Sequence, residues 1–224
     1  MKALFVRGFN TYMTNEYDRY HSIKTFLESR NISVDYINYS TDRDIYRVYE
    51  KIGENFEKEN YDYLIGHSMG GCLVTRFMYD HPEKIKSLKK IILLMPLIYK
   101  DPLTNIALNI PFMKSVKIPK PILIQEIKLY NEGNILNDRT LLTLLPLTQI
   151  ADCYNKLMLP NNRLVKTLNK ENCILFFAME EMFSSTPQHI LDEIKYKHII
   201  SGKHESFNDM SHAYNFFEMF GKIL

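Results

Sequence analysis

Apolar positions along this chain follow two alternating rhythms. Short runs rich in β-branched and aromatic residues recur at Lys2–Val6, Ser33–Tyr39, Tyr61–Ile65, Lys90–Leu94, Cys173–Ala178 and Lys197–Ile200. Several are continuously apolar, as strands buried on both faces are. Between them the spacing becomes helical. Ile45, Val48, Tyr49, Ile52 and Phe56 form one stripe, and Tyr20, Ile23 and Leu27 a shorter one. Met69, Cys72, Leu73 and Phe77 share a side of a helix over 69–80. Met210, Ala213, Tyr214, Phe217 and Phe220 mark a closing helix with Asn208 or Asp209 as its N-cap. Strands alternating with helices predict an α/β fold, a mainly parallel six-stranded sheet with helices on both faces.

One region breaks the rhythm. Seven of the nine prolines fall between Pro96 and Asn169, where helical signals are short and irregular. A structureless loop of that length is foreign to a compact domain. The expected organisation is therefore a core of 1–95 and 170–224 interrupted by an inserted cap over 96–169.

Composition narrows the class. Lys and Arg exceed Asp and Glu by only two, with no basic stripe, so no nucleic-acid partner is expected. "MKALFV" breaks at Arg7-Gly8, too early for a signal peptide, and "IILLMPLI" is far shorter than a membrane span. Cys72, Cys153 and Cys173 form no CxxC pair, which points to neither a zinc site nor a disulfide framework. A cytoplasmic protein without metal or cofactor is the expectation.

Glycine is scarce, yet three of the eight glycines fall between Gly66 and Gly71, around one serine. "YLIGHSMGG" places Gly66-His67-Ser68-Met69-Gly70, a G-x-S-x-G motif, between a strand and a helix. Such a turn exposes the serine hydroxyl above the sheet, and glycines let neighbouring chain pass closely. Ser68 is the candidate nucleophile, and it requires a base. His204, in "IISGKHESF" after the last strand, is the candidate, with His212 in reserve. It lies at the carboxyl edge of the sheet, where parallel α/β sheets carry their sites. His67 is read as pointing away from the serine, His21 and His81 as surface residues, and His198 as part of a strand. The acid candidates are Glu181 and, as the alternative, Glu180, which end the fifth strand in the order serine, acid, histidine. Asp101 and Asp209 are further carboxylates within consideration. Two backbone N–H groups must stabilise an oxyanion. Met69 supplies one, and the loop "FVRGFNTY" the other, through Phe9 or alternatively Asn10.

Taken together, "ALFVRGFN", "GHSMGG", "RLVKTLNKENCILFFAMEE" and "SGKHESF" resemble the α/β-hydrolase superfamily over nearly the whole chain. Arg7-Gly8 stands where that family usually has His-Gly, and Glu181 where its acid loop commonly has aspartate. The resemblance implies a compact member beginning at the family's third strand. It implies a serine hydrolase acting on a small-molecule ester or thioester with a partly hydrophobic portion. An acyltransferase with the same triad, or a catalytically silent binding protein on the same fold, is the alternative.

Overall fold

The computed structural model describes residues 1–8, 20–37, 44–110, 148–180, 186–202, 204, 207 and 210–224. Among these lies a single six-stranded sheet in the order β2-β1-β3-β4-β5-β6, with every neighbouring pair parallel. The strands are β1 (Lys2–Val6), β2 (Ser33–Ile37), β3 (Tyr63–His67), β4 (Lys90–Leu94), β5 (Cys173–Ala178) and β6 (Lys197–Ile200). All residues of β3 and β5 are buried, and the Cys173–Ala178 run of β5 is continuously apolar for that reason.

Helices cover both faces. On one side are α2 (Ile45–Lys58), α3 (Met69–Asp80), α6 (Asn161–Leu168) and α7 (Gln188–Glu193). Their apolar cores meet Leu4, Val6, Leu64, Leu93 and Leu175 of the sheet. Asp44 starts α2 by accepting the Tyr46 N–H at 2.9 Å, and Ile45, Val48 and Ile52 are the buried part of its stripe. On the other side α1 (His21–Glu28) and α8 (Met210–Ile223) cover Phe5, Ile65, Ile92 and Phe176. There Phe176, Phe216 and Phe220 form one aromatic cluster, with ring centroids 5.3 to 6.0 Å apart.

The irregular region contains α4 (Pro102–Asn109), then α5 (Thr148–Asp152), a π-helical turn over Cys153–Leu157, and α6. Its last part is tied to the main body. Ala151, Cys153, Leu157, Leu164 and Leu168 belong to the same apolar cluster as Leu73 and Phe77 of α3. Residues 111–147 of the expected cap lie outside the described residues.

The strand order fixes where a site can form. From β1 the chain moves outward to β2 and then returns to the other side of β1 with β3. The connections leaving the carboxyl ends of β1 and β3 therefore diverge and leave a crevice between them, the usual ligand position in open parallel sheets. Gly8 follows β1 and Ser68 follows β3.

Candidate active site

Ser68 joins β3 to α3 with φ 53° and ψ −120°, a conformation that residues bearing a Cβ rarely adopt. The surrounding chain holds it there. The Ser68 N–H donates to the Leu94 carbonyl at 2.9 Å. The Ser68 carbonyl accepts from Gly71 and from Leu97, each at 2.9 Å. The close approaches explain the glycines. A Cβ on Gly70 would collide with the carbonyl oxygens of Val6 and Arg7, and one on Gly71 with Pro96. One on Gly66 would lie 2.8 Å from the Gly70 carbonyl oxygen. β1 and the turn after β4 thus press directly against the start of α3.

Met69 is the first residue of α3. The opening N–H groups of a helix lack intrahelical acceptors and carry the positive end of its dipole, so this position favours developing negative charge. Gly8, two residues beyond β1, faces His67 and Ser68. A Cβ there would stand 2.9 Å from His67 Nδ1 and 3.1 Å from Ser68 Cβ. The backbone after β1 consequently runs against the serine, as a loop donating a second N–H to an oxyanion must. Phe9 and Asn10, the residues expected to make that donation, lie outside the described residues. Arg7, just before, is fully buried, with its guanidinium 4.0 Å from the centre of the Tyr36 ring and 5.2 Å from that of Tyr20. Two aromatic rings hold this cation.

His204 is buried beside the elbow. Its ring centroid is 4.8 Å from that of His67, and its backbone carbonyl accepts from His67 Nε2 at 3.2 Å. Gly202, at φ 94°, makes the turn that brings it there from β6. The Ser68 hydroxyl has no hydrogen-bond partner among the described residues, His204 included; such catalytic contacts often tighten only with substrate bound.

The start of the turn that holds the acid candidates lies alongside. The Met179 N–H donates to Ile200 and the Glu180 N–H to Gly202, at 2.9 and 3.0 Å, which laces the end of β5 to the histidine loop. Glu180 is exposed, and Glu181 lies outside the described residues, as does Asp209. Asp101 is occupied elsewhere: it caps α4, accepting the Thr104 N–H at 2.6 Å, a bond that lowers its pKa. The other histidines have separate surroundings. His212 Nδ1 is 3.0 Å from Ser201 Oγ, and His198 lies against the Phe176 ring with its pKa lowered by burial. His81 stacks beside Phe77 and Tyr49, while His21 is exposed on α1.

Two residues near the serine escape a reading of the sequence. The Tyr20 hydroxyl accepts the Gly8 N–H at 3.0 Å and lies 2.8 Å from His67 Nδ1. In sequence Tyr20 is simply the first position of an apolar helical stripe. Only the meeting of α1 with the elbow, 47 residues apart, reveals its polar end. His67 is the second, since its position inside the motif does not disclose what its two nitrogens meet.

A family model described as serine aminopeptidase, S33, matches residues 30–137. No curated protein matches the chain. Among solved structures, a monoacylglycerol lipase from Paleococcus ferrophilus is similar with a TM-score of 0.63 at 18% identity, over 99% of this chain and 92% of that one. A soluble variant of monoglyceride lipase from Saccharomyces cerevisiae, in complex with a substrate analog, gives 0.64 at 15% identity, over 99% and 84%. A serine hydrolase from the polyaromatic hydrocarbon-degrading bacterium Cycloclasticus zankles gives 0.60 at 15%, over 99% and 89%. No helix among the described residues is long and apolar enough to cross a membrane. The strand order, the all-parallel register and the likeness to these solved structures show that the chain has the α/β-hydrolase fold.

Proposed function

We propose that the protein is a serine hydrolase that cleaves a carboxylic ester or thioester through an acyl-enzyme intermediate. The observation that carries this reading is the backbone of Ser68. A side chain held at φ 53° on a strand-to-helix turn, facing Gly8 of the neighbouring loop, has no structural need to be serine. Ser68 Oγ attacks the acyl carbon as His204 takes its proton, and Glu181 orients the imidazole, with Glu180 as the alternative acid. The N–H groups of Met69 and Phe9 receive the oxyanion. The tetrahedral intermediate collapses, His204 returns the proton to the departing alcohol or thiol, and the acyl group stays on Ser68. Water then enters, His204 removes its proton, and a second tetrahedral intermediate releases the carboxylic acid and restores Ser68. No metal or cofactor takes part.

An ester is preferred to a peptide because the similar structures named above include two lipases, although the family model is described as that of an aminopeptidase. The abundance of Leu, Ile and Met over 96–169 supports a substrate with an apolar portion. The test is a fluorophosphonate probe mapped by mass spectrometry. A single adduct on Ser68, absent in Ser68→Ala and suppressed in His204→Ala, is the expected result. Rates on p-nitrophenyl esters of graded chain length, set against aminoacyl anilides, then decide the substrate class. Folded protein that leaves Ser68 unlabelled overturns the proposal.

A further inference from the structure

The serine-hydrolase reading uses Ser68 and His204 but gives no task to the two buried polar side chains that lie between them and the loop after β1. Tyr20 and His67 are each at most 1% exposed. They come from different places in the chain, the residue that precedes α1 and the end of β3, and meet at 2.8 Å. One end of the pair reaches the oxyanion side, where the Gly8 N–H donates to the Tyr20 hydroxyl at 3.0 Å. The other reaches the base, where His67 Nε2 lies 3.2 Å from the His204 carbonyl oxygen.

Elementary hydrogen-bond chemistry assigns the protons. A carbonyl oxygen only accepts, so His67 Nε2 carries a hydrogen. The Tyr20 oxygen already accepts from Gly8 and has one proton to give. With His67 neutral, Nδ1 is a bare acceptor facing that hydroxyl, and each of the three contacts pairs one donor with one acceptor. A doubly protonated His67 would put a cation 4.8 Å, ring centre to ring centre, from the imidazole that becomes positive when Ser68 gives up its proton. Like charges that close oppose each other, so the neutral form is the one compatible with turnover.

We propose that Tyr20 and His67 are positioning residues: a Gly8–Tyr20–His67–His204 chain, with His67 held as the neutral Nε2–H tautomer, sets the oxyanion loop and the base loop relative to the elbow. The proposal rests on the serine-hydrolase reading for its catalytic consequence, not for the tautomer. Among the described residues, neither side chain hydrogen-bonds to Ser68. Each acts through backbone groups, Gly8 on one side and His204 on the other. The aromatic packing of Tyr20 on Phe5 and Phe207, with centroids at 4.9 and 5.9 Å, does not need the hydroxyl. Tyr20→Phe therefore removes one polar link and leaves the ring in place. His67→Gln keeps an N–H able to reach the His204 carbonyl, whereas His67→Leu does not.

The first measurement is nitrogen NMR of the resting protein labelled with ¹⁵N-histidine, the His67 signals being assigned by their loss in His67→Gln. A pyridine-type Nδ1 and a pyrrole-type Nε2 at neutral pH, with Nδ1 moved by Tyr20→Phe, are expected. An Nδ1–H tautomer, an imidazolium, or an Nδ1 indifferent to Tyr20→Phe overturns the proposal. In the kinetic arm, Tyr20→Phe and His67→Leu lower kcat about ten- to hundred-fold with KM nearly unchanged, as misplacement of catalytic groups does, and His67→Gln recovers part of the His67→Leu loss. Equal kcat in all three variants overturns the positioning role. Failure of the unaltered protein to label at Ser68 would strike the hydrolase reading alone, because the nitrogen shifts report the tautomer without any turnover.

Discussion

At Ser68 the backbone and the side chain make opposing demands. The φ of 53° costs a residue with a Cβ about 1–3 kcal/mol, whereas glycine reaches it freely. Glycine also loses more chain entropy on folding, about 0.5–1 kcal/mol. The strain is the larger quantity, so Ser68→Gly is expected to be more stable than Ser68→Ala by about 1 kcal/mol, and more stable than the unaltered protein, while being inactive. Urea denaturation of the three proteins with equal m-values checks this; an alanine variant as stable as the glycine variant would mean that the elbow relaxes. The elbow was legible in the sequence because close backbone approach leaves only glycine at fixed spacings. Its surroundings were not: that Gly8 faces Ser68, and that Tyr20 turns its hydroxyl to His67, depend on how β1 and α1 meet β3.

The elements were legible where burial on both faces made the apolar run continuous. β1, β4 and β5 have the bounds their patterns predict, and so does β6, a partly exposed edge strand. β3 begins two residues later than its pattern, at Tyr63, and extends through Gly66 and His67, which pair with Leu93 and Leu94. Those two residues read as turn because glycine is rare inside strands, yet here the ladder carries the chain up to the serine. At its start, β3 is fastened by a residue whose role no apolar pattern can show. Asp62 accepts the Lys2 N–H at 2.9 Å and pairs with Lys89 at 3.0 Å, so one side chain clamps β1, β3 and the lead into β4. The Lys89 hydrogen bond, then that from Lys2, lowers the Asp62 pKa below its ordinary 3.8. A carboxylate with a folded-state pKa below its unfolded one stabilises the fold fully above the unfolded value and loses that contribution as pH falls through the folded one. Asp62→Asn should therefore be less stable by about 1 kcal/mol at pH 7, with the difference fading as the pH falls below the ordinary 3.8. Thermal melts of both proteins across that range measure it, and a difference that persists undiminished at pH 2 would rule the clamp's charge irrelevant.

Across the whole molecule, the candidate nucleophile opens a helix on one face of the sheet, whereas the candidate base precedes the helix that closes the other. Their alignment requires both layers to stay docked together, and the segment over 148–168 is packed into the first layer behind α3. The sequence pattern groups that segment with a cap because Pro160 and its short helices obscure the apolar positions that the cluster uses. Whether it opens independently is measurable through the three cysteines, one in α3, one in the π-helical turn and one in β5, all free and buried. Burial pushes the Cys173 thiol up to about 12. At pH 8 that leaves a thiolate fraction of about one in ten thousand. A hydrogen bond with the Cys72 thiol, together with complete burial, holds Cys153 well above its ordinary range. Thiol exchange with a disulfide reagent in the folded protein should then be slow at all three positions and should proceed at a common rate set by global unfolding. The expected outcome is parallel labelling of Cys72, Cys153 and Cys173, accelerated together by mild denaturant. Early modification of Cys153 together with Cys72, with Cys173 protected, would instead show that the segment behind α3 undocks as a unit, and that the division of the chain at 169 is dynamic as well as compositional.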